Sequence, residues 1–131
     1  MLKVGSYLRV VDNSGAKWAK CINIKKKGKY VSATIGMLIL ITLKKISNRK
    51  KVNKRIIYLG LIVGVSYWVY RVDGTFVKFF TNRLLLFNKQ IKFLGSRIYG
   101  IFLKEIKVKN FGDGKNQKYF HKIFLYSSGV I

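Results

Sequence analysis

Residues Ile56–Tyr70 read IIYLGLIVGVSYWVY, a run of fifteen residues without a charge that lies between Arg55 and Arg71. The run is shorter than the roughly 18–20 apolar residues that a membrane-spanning helix needs. It is rich in β-branched and aromatic side chains, and it contains Gly60 and Gly64. Such residues favour strands, and a glycine inside a strand is typical of a bulge. The run therefore predicts a long strand that continues into a hairpin arm.

Similar strand-like segments recur on both sides of this run, separated by turn signals such as Asp12-Asn13-Ser14-Gly15 and Asp73-Gly74. Many short strands with frequent turns and no long helix exclude a parallel βαβ sheet and indicate one mainly β domain, a barrel or a sandwich. The predicted strands are Tyr7–Val11, Trp18–Ile24, Leu38–Lys44, Ile56–Val63, Thr75–Phe80 and Leu84–Phe87. A short amphipathic helix is predicted to start near Gly100, and the residues that fit it are Ile98, Ile101, Phe102, Glu105 and Ile106.

The composition combines a large positive charge with a large apolar fraction. The chain has 131 residues, 27 Lys and Arg against 4 Asp and Glu, and a formal net charge of +23, yet half of it is hydrophobic. A disordered basic tail would be poor in hydrophobic residues, so we expect a folded core with a basic surface. Self-repulsion of that charge requires a partner of dense negative charge. Nucleic acid is the leading candidate because cations on a protein displace the counterions that are condensed on the phosphate backbone. An anionic membrane surface, without insertion, is the alternative.

Catalysis and metal binding are not indicated. One cysteine, Cys21, and one histidine, His121, cannot form a metal set, and the four acidic residues are scattered along the chain. Catalytic sites need titratable groups brought together with tuned pKa values. We therefore expect no enzyme, no catalytic residue, no metal, no cofactor and no small-molecule substrate.

The densest basic segment is Lys44–Arg55, in which seven of twelve residues are cationic and none is acidic. A solvated loop is the simplest interpretation of such a segment. Because the whole chain is basic and supplies no neutralising acids nearby, we favour a loop that contacts phosphate, which positions a protein without reading sequence. The predicted RNA-binding residues are Lys17, Lys25, Lys26, Lys27, Lys29, Lys44, Lys45, Arg49, Lys50, Lys51, Lys54, Arg55, Arg71 and Lys78.

Three motifs occur in a recognisable order. The first is LRVVDNSGA at 8–16, followed by Cys21-Ile22. The second is GLIV at 60–63, with Asp73-Gly74, Phe79, Asn82 and Leu85-Leu86 at fixed spacing after it. The third is GSRIYG at 95–100, followed by KEI at 104–106. In these motifs, which span nearly the whole chain, the sequence resembles the universal large-subunit ribosomal protein fourteen family.

The resemblance implies a small closed five-stranded β-barrel, at about residues 6–90, with a projecting β-hairpin. It also implies a C-terminal part at about 95–131 that contains two short helices. The implied function is that of a structural constituent of the large ribosomal subunit that binds its rRNA and faces the small subunit. Its implied partners are large-subunit rRNA, neighbouring large-subunit proteins, small-subunit rRNA across an intersubunit bridge, and a ribosomal silencing factor. The predicted protein and intersubunit contacts are Tyr67, Trp68, Ser96, Arg97 and Lys104.

Two departures from the family pattern bear on function. The hairpin arm, often rich in Lys and Arg in the family, reads GVSYWVY at 64–70. Its aromatic rings could stack on RNA bases or pack on a protein neighbour, and the sequence leaves both possibilities open. Residues 107–118 are predicted to be an insertion.

The amino-acid usage indicates the kind of genome that encodes the chain. Proline is absent, although average usage is about 5%. Lys, Ile, Asn, Phe and Tyr, whose codons are rich in A and T, are used heavily. The N-terminal sequence MLKVGSYLRV resembles neither a signal peptide nor a transit peptide. We therefore expect an organelle-encoded protein on the ribosome of the mitochondrial matrix, with another organelle or an AT-rich bacterium as the alternative.

Overall fold

The computed structural model describes residues 2–24, 32–47, 52–90, 92–95 and 97–102, together with the backbone of 129–130. Within these ranges the chain forms nine strands and no helix. The strands are β1 (Tyr7–Val10), β2 (Ala16–Ile24), β3 (Leu38–Ile46), β4 (Ile57–Gly64), β5 (Val69–Tyr70), β6 (Phe76–Val77), β7 (Arg83–Phe87), β8 (Ile101–Phe102) and β9 (Gly129–Val130).

Five strands close into a barrel in the order β1-β2-β3-β4-β7. Four of the neighbouring pairs are antiparallel, and the barrel closes through a parallel pairing of β1 with β7. The predicted mainly β fold and the closed five-stranded barrel are therefore confirmed. Closure leaves none of these five strands with an unpaired edge that could pair with another chain.

The barrel core follows from alternating side chains in β3 and from continuous burial in β4. Ile39, Ile41 and Leu43 are buried, whereas the residues between them are only partly covered. In β4, which is the strand that the uncharged run predicted, every residue from Tyr58 onward is buried. The pairing of β4 with β7 shifts register between Ile62 and Gly64, which is the irregularity that the glycine spacing indicated.

The turn between β1 and β2 is built around a buried carboxylate. Asp12 accepts hydrogen bonds from the backbone N–H and the hydroxyl of Ser14 through Oδ1, and from the backbone N–H of Leu86 through Oδ2. Gly15 completes the turn at a φ of 100°, in the left-handed region that favours glycine. Asp12 thus connects the turn to β7, the strand that pairs with β1.

The segment around Gly95 and Arg97 packs against the same turn. The Arg97 N–H donates to Asn13 Oδ1 at 2.9 Å, and the Tyr99 N–H donates to the Val11 carbonyl at 2.6 Å. A Cβ at Gly95 would lie 2.8 Å from Asn13 Oδ1, so only glycine fits there without a shift. The first and third sequence motifs therefore meet in space.

The C-terminal prediction is wrong at its beginning. Ile101 and Phe102, which were expected in a helix, form β8 and pair in parallel with β9. Phe102 is fully buried and Ile101 is exposed, the alternation of a strand. The rest of the predicted helices and the predicted insertion at 107–118 lie outside the described residues. In the part of the chain that the structure covers, no helix is long and apolar enough to cross a membrane.

Candidate nucleic-acid interface

Strand direction collects five of the predicted RNA-binding residues at one end of the barrel. β2 begins, β3 ends and β4 begins at this end, because the two β-ladders that join them are antiparallel. We call it the basic end and define it by Lys17, Lys44, Lys45, Lys54 and Arg55, all of which are exposed.

The β2–β3 ladder holds the basic end together. Trp18 pairs with Lys45, and the Ser47 N–H donates to the Gly15 carbonyl at 2.7 Å. Lys54 and Arg55 stand immediately before β4, and the Arg55 N–H donates to Asn53 Oδ1 at 2.9 Å. These backbone contacts fix the positions from which the flexible cationic side chains extend into solvent.

The remaining predicted RNA-binding residues divide into two groups. Arg71 and Lys78 lie in the hairpin arm, which follows the end of β4 and is therefore at the opposite end of the barrel. Arg71 is half-buried and Lys78 is exposed. The others lie outside the described residues: Lys25, Lys26, Lys27, Lys29, Arg49, Lys50 and Lys51.

A pocket of about 600 Å³ opens beside the basic end. Arg9, Lys17, Trp18 and Tyr99 are among its lining residues, together with Asp12 and Ser47. Tyr99 is 56% exposed and Trp18 is 37% exposed, so both rings are accessible to a ligand. When cations lie next to accessible rings, the cations can bind the phosphate of a nucleotide and a ring can stack on its base. The pocket thus has the chemistry to receive a nucleotide.

Sequence reasoning missed Arg9, Trp18 and Tyr99 as candidate contacts. The three residues come from β1, β2 and the segment before β8, and they meet because Arg9 pairs with Trp18 and the Tyr99 N–H bonds to Val11. Only the outward position of Arg9 and Trp18 could have been predicted, from the alternation of their strands.

The two acidic residues that the structure describes are both held by local hydrogen bonds. Asp12 and Asp73 are the acidic residues in the described ranges. Burial raises the pKa of Asp12 above its ordinary value, although the hydrogen bonds from Ser14 and Leu86 oppose the shift. The Asp73 carboxylate accepts from the N–H and the hydroxyl of Thr75 at the tip of the arm. Both described acids therefore have structural uses within turns of the backbone.

The arm, residues 65–80, presents different side chains on its two faces. β5 and β6 pair Val69 with Val77 and Tyr70 with Phe76. Val69 and Val77 pack on the barrel core, as does Tyr67, and burial raises the pKa of the Tyr67 phenol. We call this the inner face. The outer face consists of Trp68, Tyr70, Phe76 and Lys78, and all four are exposed.

The predicted protein and intersubunit contacts are therefore not gathered at one place. Tyr67 lies on the inner face of the arm and Trp68 on its outer face, while Arg97 is exposed beside the turn after β1. Ser96 and Lys104 lie outside the described residues. No cluster of three or more His, Cys, Asp or Glu side chains that could hold a metal ion is found among the described positions.

The model of the family described as ribosomal protein L14p/L23e matches residues 1–121. The match includes all three sequence motifs, the whole barrel, the arm and the pocket.

Proposed function

The chain belongs to the ribosomal protein L14p/L23e family, and on that premise we propose that it binds large-subunit rRNA through the basic end of its barrel. Membership makes the chain a structural, non-catalytic protein of the large ribosomal subunit. Its place in the cell is accordingly the ribosome, and rRNA and other ribosomal proteins are its partners.

The basic end is the observation that carries this proposal. Five exposed cations extend from three adjoining strand ends, and Arg9 and Lys17 line a pocket that also offers two accessible rings. Lysine acts toward phosphate as a flexible point charge, and arginine can bind two phosphate oxygens at once. The basic end therefore suits the RNA backbone, and the pocket suits a single nucleotide that leaves its stack.

Further contacts follow as proposals from the family resemblance. Arg97, beside the turn after β1, is a contact to a neighbouring protein or to the silencing factor, together with Ser96 and Lys104. The same family resemblance gives the protein a role in an intersubunit bridge to small-subunit rRNA. The amino-acid usage is typical of AT-rich genomes, as in organelles and some bacteria, and we place this ribosome in the mitochondrial matrix.

A pair of charge-matched variants tests the basic end. Lys17→Gln/Lys45→Gln removes two cations from it, and Lys3→Gln/Lys20→Gln removes two cations from elsewhere on the barrel. Binding of the purified protein to large-subunit rRNA is measured by filter retention over a range of salt concentrations. We expect the first variant to lower the salt slope by about two, at about one per lost phosphate contact, and the second to lower it much less. Equal losses would show that net charge alone binds RNA and would refute a specific basic end.

A further inference from the structure

We propose that the outer face of the arm is a stacking platform for unpaired RNA bases. The inference rests on the proposed function, since it assigns a second RNA contact at the end of the barrel opposite the basic end. The solvent-exposed fraction is 57% for Trp68, 76% for Tyr70 and 55% for Phe76. Three accessible rings on one short ribbon form an apolar surface that requires a partner.

The inner face fixes the platform to the barrel. Val69 and Val77 pack on the core, and the Phe79 N–H donates to the Val65 carbonyl at 3.0 Å. At the base of the arm, Ser66 donates from its N–H and its hydroxyl to Asn82 Oδ1, at 3.0 and 3.2 Å. Because the arm is anchored in this way, the rings are presented at a lower ordering cost at the moment of binding.

The rings also support one another. The centroids of Tyr70 and Phe76 are 4.7 Å apart with an interplanar angle of 86°, and those of Trp68 and Phe76 are 6.5 Å apart at 79°. Edge-to-face contacts of this kind are favourable between aromatic rings. The arrangement holds the rings in place while they remain largely exposed, so that a planar base can stack on them.

The charge of the outer face favours RNA over an apolar protein surface. The Lys78 ammonium lies 5.7 Å from the centroid of the Trp68 ring. A protein that covered the rings would bury this cation and would have to supply an acid to neutralise it. An RNA strand provides a phosphate for Lys78 beside each base that stacks, so one ligand satisfies both the rings and the charge.

The test compares two polyanions, one with bases and one without. The full-length protein carries Trp18→Phe, which leaves Trp68 as its one indole. The probes are a short single-stranded oligoadenylate and inorganic polyphosphate of similar charge. We expect oligoadenylate to quench Trp68 fluorescence and polyphosphate to leave it unchanged. In the same background, with binding of the labelled probes measured by filter retention, Tyr70→Ala should weaken oligoadenylate binding about tenfold, the loss expected for one stacked base, without weakening polyphosphate binding.

A matched control exists on the barrel. Lys20 lies 5.8 Å from the ring centroid of Tyr7, a cation–ring pair like that of Lys78 and Trp68. Tyr7→Ala in the same background should bind both probes as the parent does. Circular dichroism checks that each variant is folded, which we expect because the substituted rings are exposed.

Two results would overturn the platform. One is equal weakening toward both probes in Tyr70→Ala, which would mean that Tyr70 supports the shape of the arm and does not stack on bases. The other is unchanged oligoadenylate binding in Tyr70→Ala. Loss of a neighbouring protein from purified large subunits that carry Tyr70→Ala would then assign the arm to protein docking. In either case the proposed function stands if the wild-type protein binds rRNA at the basic end. It fails separately if the wild-type protein does not.

Discussion

Asp12 is the side chain on which the β1–β2 turn depends. Asp12→Asn keeps its size but offers one oxygen where the carboxylate offers two. Whichever way the amide is oriented, its nitrogen faces a buried N–H, that of Ser14 or that of Leu86. An unsatisfied buried donor costs about 1–3 kcal/mol. We expect the free energy of unfolding in urea to fall by this amount at neutral pH.

Asp73→Asn is the control for this substitution. Asp73 has the same local pattern of bonds, to the N–H and hydroxyl of a residue two positions later, but it is exposed. Water can replace the lost hydrogen bonds there, so the change in stability should be small. Similar losses in the two variants would contradict a special role for the buried carboxylate.

The pKa of Asp12 predicts how this difference in stability changes with pH. Burial raises the pKa of Asp12 above its ordinary value of 3.8, so folding favours the protonated carboxyl. The stability that Asp12 contributes is therefore greatest below that value and declines as pH rises through the raised pKa. The advantage of the wild type over Asp12→Asn, measured by urea unfolding from about pH 4 to about pH 7, should decrease. An increasing advantage would mean that the hydrogen bonds outweigh desolvation.

Among the strands, β4 shows how closely the barrel is packed. A Cβ at Gly60 would lie 3.3 Å from Leu84 Cδ1 and 3.4 Å from Ile41 Cγ2, which belong to the two neighbouring strands. Valine at this position would add two further carbons to that space. Overpacking of a core typically costs about 1–3 kcal/mol, and we expect Gly60→Val to lose at least the lower value.

The control for this prediction lies in the same strand. Ile57 is 44% exposed, so Ile57→Val removes one methylene from a side chain that is half in solvent. Its thermal midpoint should stay close to that of the wild type, whereas Gly60→Val should unfold at a clearly lower temperature. Equal midpoints would show that the barrel interior can expand at Gly60.

Most of the strands could be predicted from the sequence because they are short apolar runs, often rich in β-branched and aromatic residues, between turn residues. Closure of the barrel was implied by the family resemblance, since no local pattern encodes the parallel pairing of β1 with β7. The prediction of a helix near Gly100 was wrong for Ile101 and Phe102, which form a strand. Helical spacing over so few residues does not exclude a strand, and the pairing of these residues with Gly129 and Val130 is invisible in the local sequence.

The candidate site was predictable only as far as its charges. Lys17, Lys44 and Lys45 stood out by residue type, and the structure brings them to one end of the barrel. Trp18 and Tyr99 could not be placed in a pocket with Lys17, because the contact between their segments depends on long-range backbone pairing. The sequence left open whether the rings of the arm stack on RNA bases or pack on protein. Only the register of β5 with β6 shows which side chains lie on the inner face and which on the outer face.

The net charge of +23 ties the stability of the protein and its binding of RNA to the same variable, ionic strength. In the free protein, like charges repel one another across a small surface, and salt screens that repulsion. In the complex, salt competes with the protein for the phosphates, and affinity falls as salt rises. The same cations should therefore give two salt dependences of opposite sign.

Both dependences can be measured on the full-length wild type between about 50 and about 200 mM salt. The thermal midpoint of the free protein should rise across this range. The affinity for large-subunit rRNA should fall, with a log–log slope of about −4 if the five cations of the basic end each contact a phosphate. Repeating the series with a second monovalent salt separates screening from ion-specific binding. If the midpoint does not change while RNA binding weakens, self-repulsion does not limit the fold, and RNA is a ligand of the barrel that its stability does not require.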